Sequence, residues 1–150
     1  MPTKKPTIAV IGLGYWGPNL VRNYRSLPEC RLRTICDQNK ARLEKTHQNY
    51  PDLNAETSFD RVLEDKEIDA VSIAVPVCYH YELAKKSLLA GKHTFIEKPM
   101  AASSAQCEEL IEIANKQGLV LMIGHTFLYS PAVRMIKEIV DSGAIGRIRY

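Results

Sequence analysis

Three groups of residues in this 150-residue sequence have the types and spacing to do chemistry. The first is Gly12-Leu13-Gly14-Tyr15-Trp16-Gly17, a G-x-G-x-x-G that directly follows the apolar run Thr7 to Ile11 and opens a segment with helical periodicity. In that position the first glycine permits a tight turn, the second lets a diphosphate approach bare backbone, and the third lets helix and strand pack closely. Free N–H groups at the helix start, together with the helix dipole, then favour negative charge. The second is Asp37, about 20 residues beyond Gly17 at the end of the next apolar run, where a carboxylate accepts hydrogen bonds from ribose hydroxyls. A carboxylate there favours NAD and repels the 2′-phosphate of NADP, although Arg42, one helical turn later, offers the usual compensation. The third is Glu97-Lys98-Pro99, which puts a lysine at the end of a strand, suited to taking a hydroxyl proton during alcohol oxidation. Taken singly, a plain glycine turn, a helix-capping aspartate and a solvent-facing lysine are the ordinary alternatives.

The elements that must position these groups alternate between short apolar runs and helical patterns, the signature of a parallel sheet covered by helices. Strands are predicted at Thr7 to Ile11, Arg31 to Cys36, Leu53 to Thr57, Asp69 to Val75, Thr94 to Ile96 and Leu119 to Ile123. Helices are predicted with inward stripes Leu20, Tyr24 and Leu27; Leu43, His47 and Tyr50; and His80, Leu83, Ala84, Ser87 and Leu88, capped by Gly91. A further helix has capping-box spacing at Ser103 to Gln106 and turns Cys107, Leu110, Ile111 and Ala114 inward. A last one starts at Ser130-Pro131 and is expected to bury Ile136, Ile139 and Val140. In an open parallel sheet the carboxyl ends of the strands surround the ligand crevice. Val75-Pro76, His80 and His125 therefore occupy rim positions beside Lys98, and each histidine has a satisfied structural role as its alternative.

Composition narrows the function classes. With 45% hydrophobic and 25% charged residues the chain can bury one core. Its net charge of +3 is spread over 20 Lys and Arg interleaved with 17 Asp and Glu, so no nucleic-acid stripe is expected. Ile8 to Ile11 breaks at Gly12, which predicts neither a signal peptide nor a membrane span, and hence a cytoplasmic location. Cys30, Cys36, Cys78 and Cys107 form no CxxC pair, so reduced cysteines and no metal site are expected.

Together these residues resemble the Gfo/Idh/MocA oxidoreductases, named for glucose-fructose oxidoreductase and inositol 2-dehydrogenase. The resemblance rests on Ala9 to Gly17, on Asp69 to Pro76 with His80, and above all on Ala90-Gly91-Lys92-His93-Thr94-Phe95-Ile96-Glu97-Lys98-Pro99. It implies an α/β fold, a Rossmann doubly wound parallel sheet in the order 3-2-1-4-5-6 with helices on both faces. Residues 1–145 would form that dinucleotide-binding domain. Residues 146–150, which look like another strand opening, would begin a C-terminal α/β substrate domain otherwise absent from this chain. The resemblance places Lys98 beside the nicotinamide and the reacting carbinol as the catalytic residue. It implies a cofactor-contacting set of Gly12, Gly14, Tyr15, Trp16, Gly17, Asp37, Val75, Pro76, His80, Glu97, Lys98 and His125. It also implies a cis bond before Pro99, a further catalytic group in the missing domain, and a homo-oligomer built through that domain.

The implied partners are NAD, with NADP less favoured, and a sugar or nucleotide-linked sugar, with no nucleic acid and no membrane. Gly14 to Asn23 and Gly124 to Pro131 look most like members that oxidise nucleotide-linked sugars at C3, while the lack of an arginine near Leu128 warns against importing an inositol or free-glucose specificity. A stand-alone NAD-binding or redox-sensing module without catalysis is the alternative. A methyltransferase built on a similar glycine turn is disfavoured by Glu97-Lys98-Pro99.

Overall fold

Runs of four to six apolar or β-branched residues are too short to cover a core as helices, but as strands buried on both faces they need no polar alternation. The computed structural model, which describes residues 4–149, uses them in that way. The elements are β1 (Thr7–Ile11), α1 (Gly17–Ser26), β2 (Arg31–Cys36), α2 (Lys40–Asn49), β3 (Asn54–Glu56), α3 (Phe59–Glu64), β4 (Ala70–Ile73), α4 (His80–Leu89), β5 (His93–Ile96), α5 (Ser104–Gln117), β6 (Leu121–Ile123) and α6 (Pro131–Asp141). All six strands pair in parallel in the order β3-β2-β1-β4-β5-β6. This is the expected Rossmann topology, and the order reverses between β1 and β4.

Alternate side chains of the strands feed two cores. Ala9 and Ile11 join Val71, Ile73 and Ile96 under α3, α4 and α5, where Val62, Leu88 and Leu110 are fully buried. Val10 joins Leu32 and Ile35 on the other face, under Val21 of α1 and Leu43 of α2. Truncating one of these fully buried leucines to alanine costs about 2–5 kcal/mol, so this sandwich of helices and sheet dominates stability. Side-chain caps start α2, α3 and α5, each contributing about 1 kcal/mol. Asn39 accepts from the Arg42 amide, Ser58 from Arg61 and Ser103 from Gln106. The return half of the expected capping box shifts by one residue, since Gln106 Oε1 accepts from the Ala102 amide at 3.1 Å.

Several expected details are corrected. Helix α3 is an addition to the expected elements, signalled by Ser58 as cap and Asp60 in its first turn. Leu27 lies beyond the end of α1 and is exposed, because the helix stops at Ser26, and Val21 takes the inward place. Ile111 is exposed, since the α5 surface that meets the core passes through Leu110, Ile113 and Ala114. In α6 nothing is buried. Ile136 is 60% exposed and Ile139 38%, and Val140 is only half-buried, because the helix packs chiefly on the Thr126–Tyr129 turn and reaches neither core. The ladder of β4 covers Ala70–Ile73 and not the whole of Asp69 to Val75. Residues 146–149 form no strand, and Tyr150 lies outside the described residues.

Candidate functional site

The carboxyl ends of β1, β2, β4 and β5 enclose a crevice of about 590 Å³ at the point where strand order reverses, a volume typical of small-molecule and cofactor sites. The ladder hydrogen bonds run to its lip. Gly12 N–H donates to the Cys36 carbonyl at 2.8 Å, Ala74 N–H to Ile11 at 2.8 Å, and Glu97 N–H to Ile73 at 3.0 Å. Of the residues that follow these bonds, Val75 and Lys98 line the opening, whereas Leu13 packs into the core under α1 and α2.

The three glycines do three different things. Gly12 has φ +89°, and a Cβ there would stand 2.6 Å from the Ala74 carbonyl oxygen, so the chain just past β4 fills the space a side chain would need. A Cβ on Gly17 would come within 2.0 Å of the Gly12 carbonyl oxygen, where helix α1 leans on the turn. At Gly14 the space is open, with only the Arg42 guanidinium 3.9 Å from a would-be Cβ. Helix α1 has Trp16 at its cap position and no side-chain cap, and among the described residues the amides of Gly14, Tyr15 and Trp16 make no backbone hydrogen bond. Bare amides around an open cradle at a helix N-terminus fit a diphosphate.

Asp37 is tied to this turn. Its Oδ2 accepts from the Leu13 amide at 2.6 Å and its Oδ1 from the Asn39 amide at 2.7 Å. Each carboxylate oxygen keeps a lone pair for another donor, so the aspartate both braces the glycine turn and stays able to bind hydroxyls. Cys36, one residue before it, is no nucleophile, because burial first, and then the charges of Asp37 and Glu56, push its thiol up to about 12.

Lys98 is exposed on the crevice wall, and its ammonium has no partner among the described residues. The Lys98–Pro99 bond is cis. Glu97 is half-buried beside it. A Cβ on Gly124 would lie 3.1 Å from each Glu97 carboxylate oxygen, so the glycine after β6 gives that side chain its room. Val75 and Pro76 line the crevice with His80, whose ring is 1% exposed. Tyr15 and Trp16 meet edge to face at 5.4 Å on its outer wall. Of the residues read from the sequence, the crevice wall gathers Gly12, Gly14, Tyr15, Trp16, Asp37, Val75, Pro76, His80, Glu97 and Lys98. Gly17 acts behind the wall, and His125, beyond the outermost strand β6, is not part of it. Sequence reasoning missed Thr57 and Phe59 on the wall. They follow the three-residue strand β3 and open α3, and the Ser58 cap with Asp60 is the signal for them.

The family model for the oxidoreductase family with NAD-binding Rossmann fold, Gfo/Idh/MocA, matches residues 7–125. The chain belongs to this family. The oxidoreductase domain is 29% identical over 142 residues to the 2,7-anhydro-N-acetylneuraminate hydratase of Mediterraneibacter gnavus, covering 95% of this chain and 37% of that protein. It is 38% identical over 91 residues to the dTDP-3,4-didehydro-2,6-dideoxy-alpha-D-glucose 3-reductase of Streptomyces violaceoruber, covering 61% of this chain and 27% of that protein. Among solved structures it resembles a 3-ketoreductase from Actinomadura kijaniata in complex with TDP-benzene and NADP, with a TM-score of 0.89 and 27% identity over 97% of this chain and 46% of that one. It also resembles the scyllo-inositol dehydrogenase from Lactobacillus casei with bound NAD(H) and scyllo-inositol, with a TM-score of 0.86 and 26% identity over 97% of this chain and 43% of that one. The domain thus spans under half the length of each of these relatives. Among its described residues no group of His, Cys, Asp and Glu has the arrangement of a metal site, and no helix is long and apolar enough to cross a membrane.

Proposed function

We propose that the protein carrying this domain transfers hydride between NAD and a secondary alcohol of a sugar or nucleotide-linked sugar, with Lys98 handling the proton on the substrate oxygen. One observation carries the reading: the uncapped glycine turn, the carboxylate braced against it and a lysine without a partner among the described residues all open onto one crevice. NAD, when bound, supplies the carbon that accepts or gives the hydride. The residues of the chain do the remaining work. Amides of the Gly14 to Trp16 turn hold the diphosphate, and the free lone pairs of Asp37 take the adenosine ribose hydroxyls. Val75, Pro76, His80 and Glu97 wall the nicotinamide side. Lys98 takes the hydroxyl proton in oxidation and returns it in reduction. A nucleotide-linked sugar is favoured because two of the relatives above are described with nucleotide-linked substrates or analogues. Homo-oligomer formation through a substrate domain outside this chain belongs to the same proposal.

Titration calorimetry of the chain with NAD, NADP and S-adenosylmethionine tests the cofactor half. Heat from NAD above that from NADP, and none from S-adenosylmethionine, is expected. No heat from either dinucleotide overturns the reading.

A further inference from the structure

We infer that His80 is a positioning residue for Lys98, acting through two backbone carbonyls that it bridges. The ring sits in the first turn of α4 and is 1% exposed. Its Nδ1 lies 2.7 Å from the Pro99 carbonyl oxygen and its Nε2 2.8 Å from the Val75 carbonyl oxygen. A carbonyl oxygen only accepts, so the ring donates to both carbonyls at once only when each nitrogen carries a proton, and with a single N–H it holds one of them. The ring therefore spends its donor capacity on backbone, with none left for a substrate or a catalytic partner, and this separates it from the general acids and bases of such sites.

The two carbonyls belong to two neighbouring strand tips. Val75 follows β4 and Pro99 follows Lys98 beyond β5. The paired ladder of these strands ends at Ile73 and Ile96, and the last backbone hydrogen bond between the tips is the one from Glu97 N–H to the Ile73 carbonyl. Past that point, among the described residues, the His80 ring is the link between them. The lysine backbone is thus pinned on one side by the Glu97 ladder bond and on the other by the bond from His80 to Pro99. A side chain with four rotatable bonds keeps its ammonium near a fixed place in the crevice only if its α-carbon is held, and a shift of about 1 Å at a reacting group is costly.

The inference rests on the reading that Lys98 serves the nicotinamide side of the crevice, and the test separates the two. The chain is titrated with NADH and with ADP-ribose, which lacks the nicotinamide, in a double-mutant cycle of His80→Gln and Lys98→Ala. The glutamine amide reaches the position of Nε2 and keeps Val75, but it releases Pro99. Each single variant is expected to weaken NADH about tenfold, the size of one lost hydrogen bond, with ADP-ribose unchanged, and the double variant is expected to bind NADH no more weakly than Lys98→Ala alone. His80→Asn, whose amide nitrogen takes the place of Nδ1 and keeps Pro99, is expected to restore the NADH to ADP-ribose ratio, and it carries the test if His80→Gln fails to fold. Equal losses for both ligands, a His80→Gln effect that persists in the Lys98→Ala background, or an asparagine variant that does not restore the ratio overturns the positioning role. Unaltered chain that binds neither ligand overturns the cofactor reading instead.

Discussion

Strand β5 has a lysine just beyond each end, and the two lysines have opposite fates. Lys92, at the amino end, is 7% exposed, and its ammonium donates to the carbonyls of Asp65 at 2.7 Å and Ile68 at 2.8 Å. Burial pushes its pKa down, with Asp65 and Asp69 opposing. Lys98, at the carboxyl end, is exposed on the crevice wall with no partner among the described residues. Both belong to the run Ala90 to Pro99 on which the family resemblance rests, so one motif does two jobs. Its first half closes the floor of the sheet, where Lys92 serves as a peg and His93 Nδ1 accepts from the Val120 amide at 3.0 Å. Its second half delivers a cation to the crevice. The difference teaches that a conspicuous sequence run is not a site. Parallel strands put stability at their amino ends and chemistry at their carboxyl ends, and a rise of about 3.3 Å per residue separates the two lysines by the depth of the sheet.

That contrast can be broken by swapping the expected losses. Lys98→Ala is expected to lower sugar oxidation about 10²–10⁴-fold in the protein carrying this domain, as loss of a general acid and base does, while unfolding free energy moves by less than about 0.5 kcal/mol. NADH production and urea melts check both. Robust turnover would remove the lysine from the chemistry. Gly17→Ala sharpens the upper side from the backbone. Its Cβ would meet the Gly12 carbonyl oxygen, so a stability loss of about 3 kcal/mol, together with lost NAD binding, is expected from overpacking.

Lys92→Met keeps the apolar stem but leaves two carbonyls without a donor. A loss of about 2 kcal/mol is expected by denaturation, with NAD affinity intact once folded, and a selective loss of NAD binding would erase the division between the two ends. Asp37→Asn weakens the bonds from the Leu13 and Asn39 amides and the hold on ribose, so calorimetry should show NAD binding about tenfold weaker and the gap to NADP narrowed.

The smallest expected effect lies at the floor. The Thr7 amide, donating to Asp69 Oδ2 at 2.8 Å, together with Lys4, holds the Asp69 carboxyl below the usual aspartate range. A depressed carboxylate adds stability above its unfolded-state pKa and loses it as pH falls through the folded-state value. Asp69→Asn is expected to flatten that acid limb in a plot of unfolding free energy against pH, without changing NAD affinity at neutral pH.

Much of this was legible in the residues. Period and punctuation placed all six strands and five of the six helices, because an apolar stretch bounded by turn residues has few ways to bury itself. The glycine turn and Asp37 were legible because their spacing is dictated by covalent geometry over one βαβ unit. What failed was local in sequence but decided elsewhere. Ile111 and Ile113 flank the Leu110–Ala114 stripe of α5 on opposite sides, and only the angle at which the helix crosses the sheet selects Ile113. The stripe Ile136, Ile139 and Val140 has the period of a buried face, yet among the described residues α6 packs chiefly on the Thr126–Tyr129 turn, and the stripe stays at most half-buried.

By itself, then, the sequence determined the parallel α/β sheet, the glycine turn and the carboxylate that braces it, since these depend on contacts between residues close along the chain. Only the tertiary structure showed that the other lysine of the same motif, Lys92, is a buried peg. It alone placed His80 between two strand tips, left His125 off the crevice wall and brought Thr57 and Phe59 onto it. Those outcomes depend on which strands become neighbours and where their ends fall, and no spacing within a single segment encodes that.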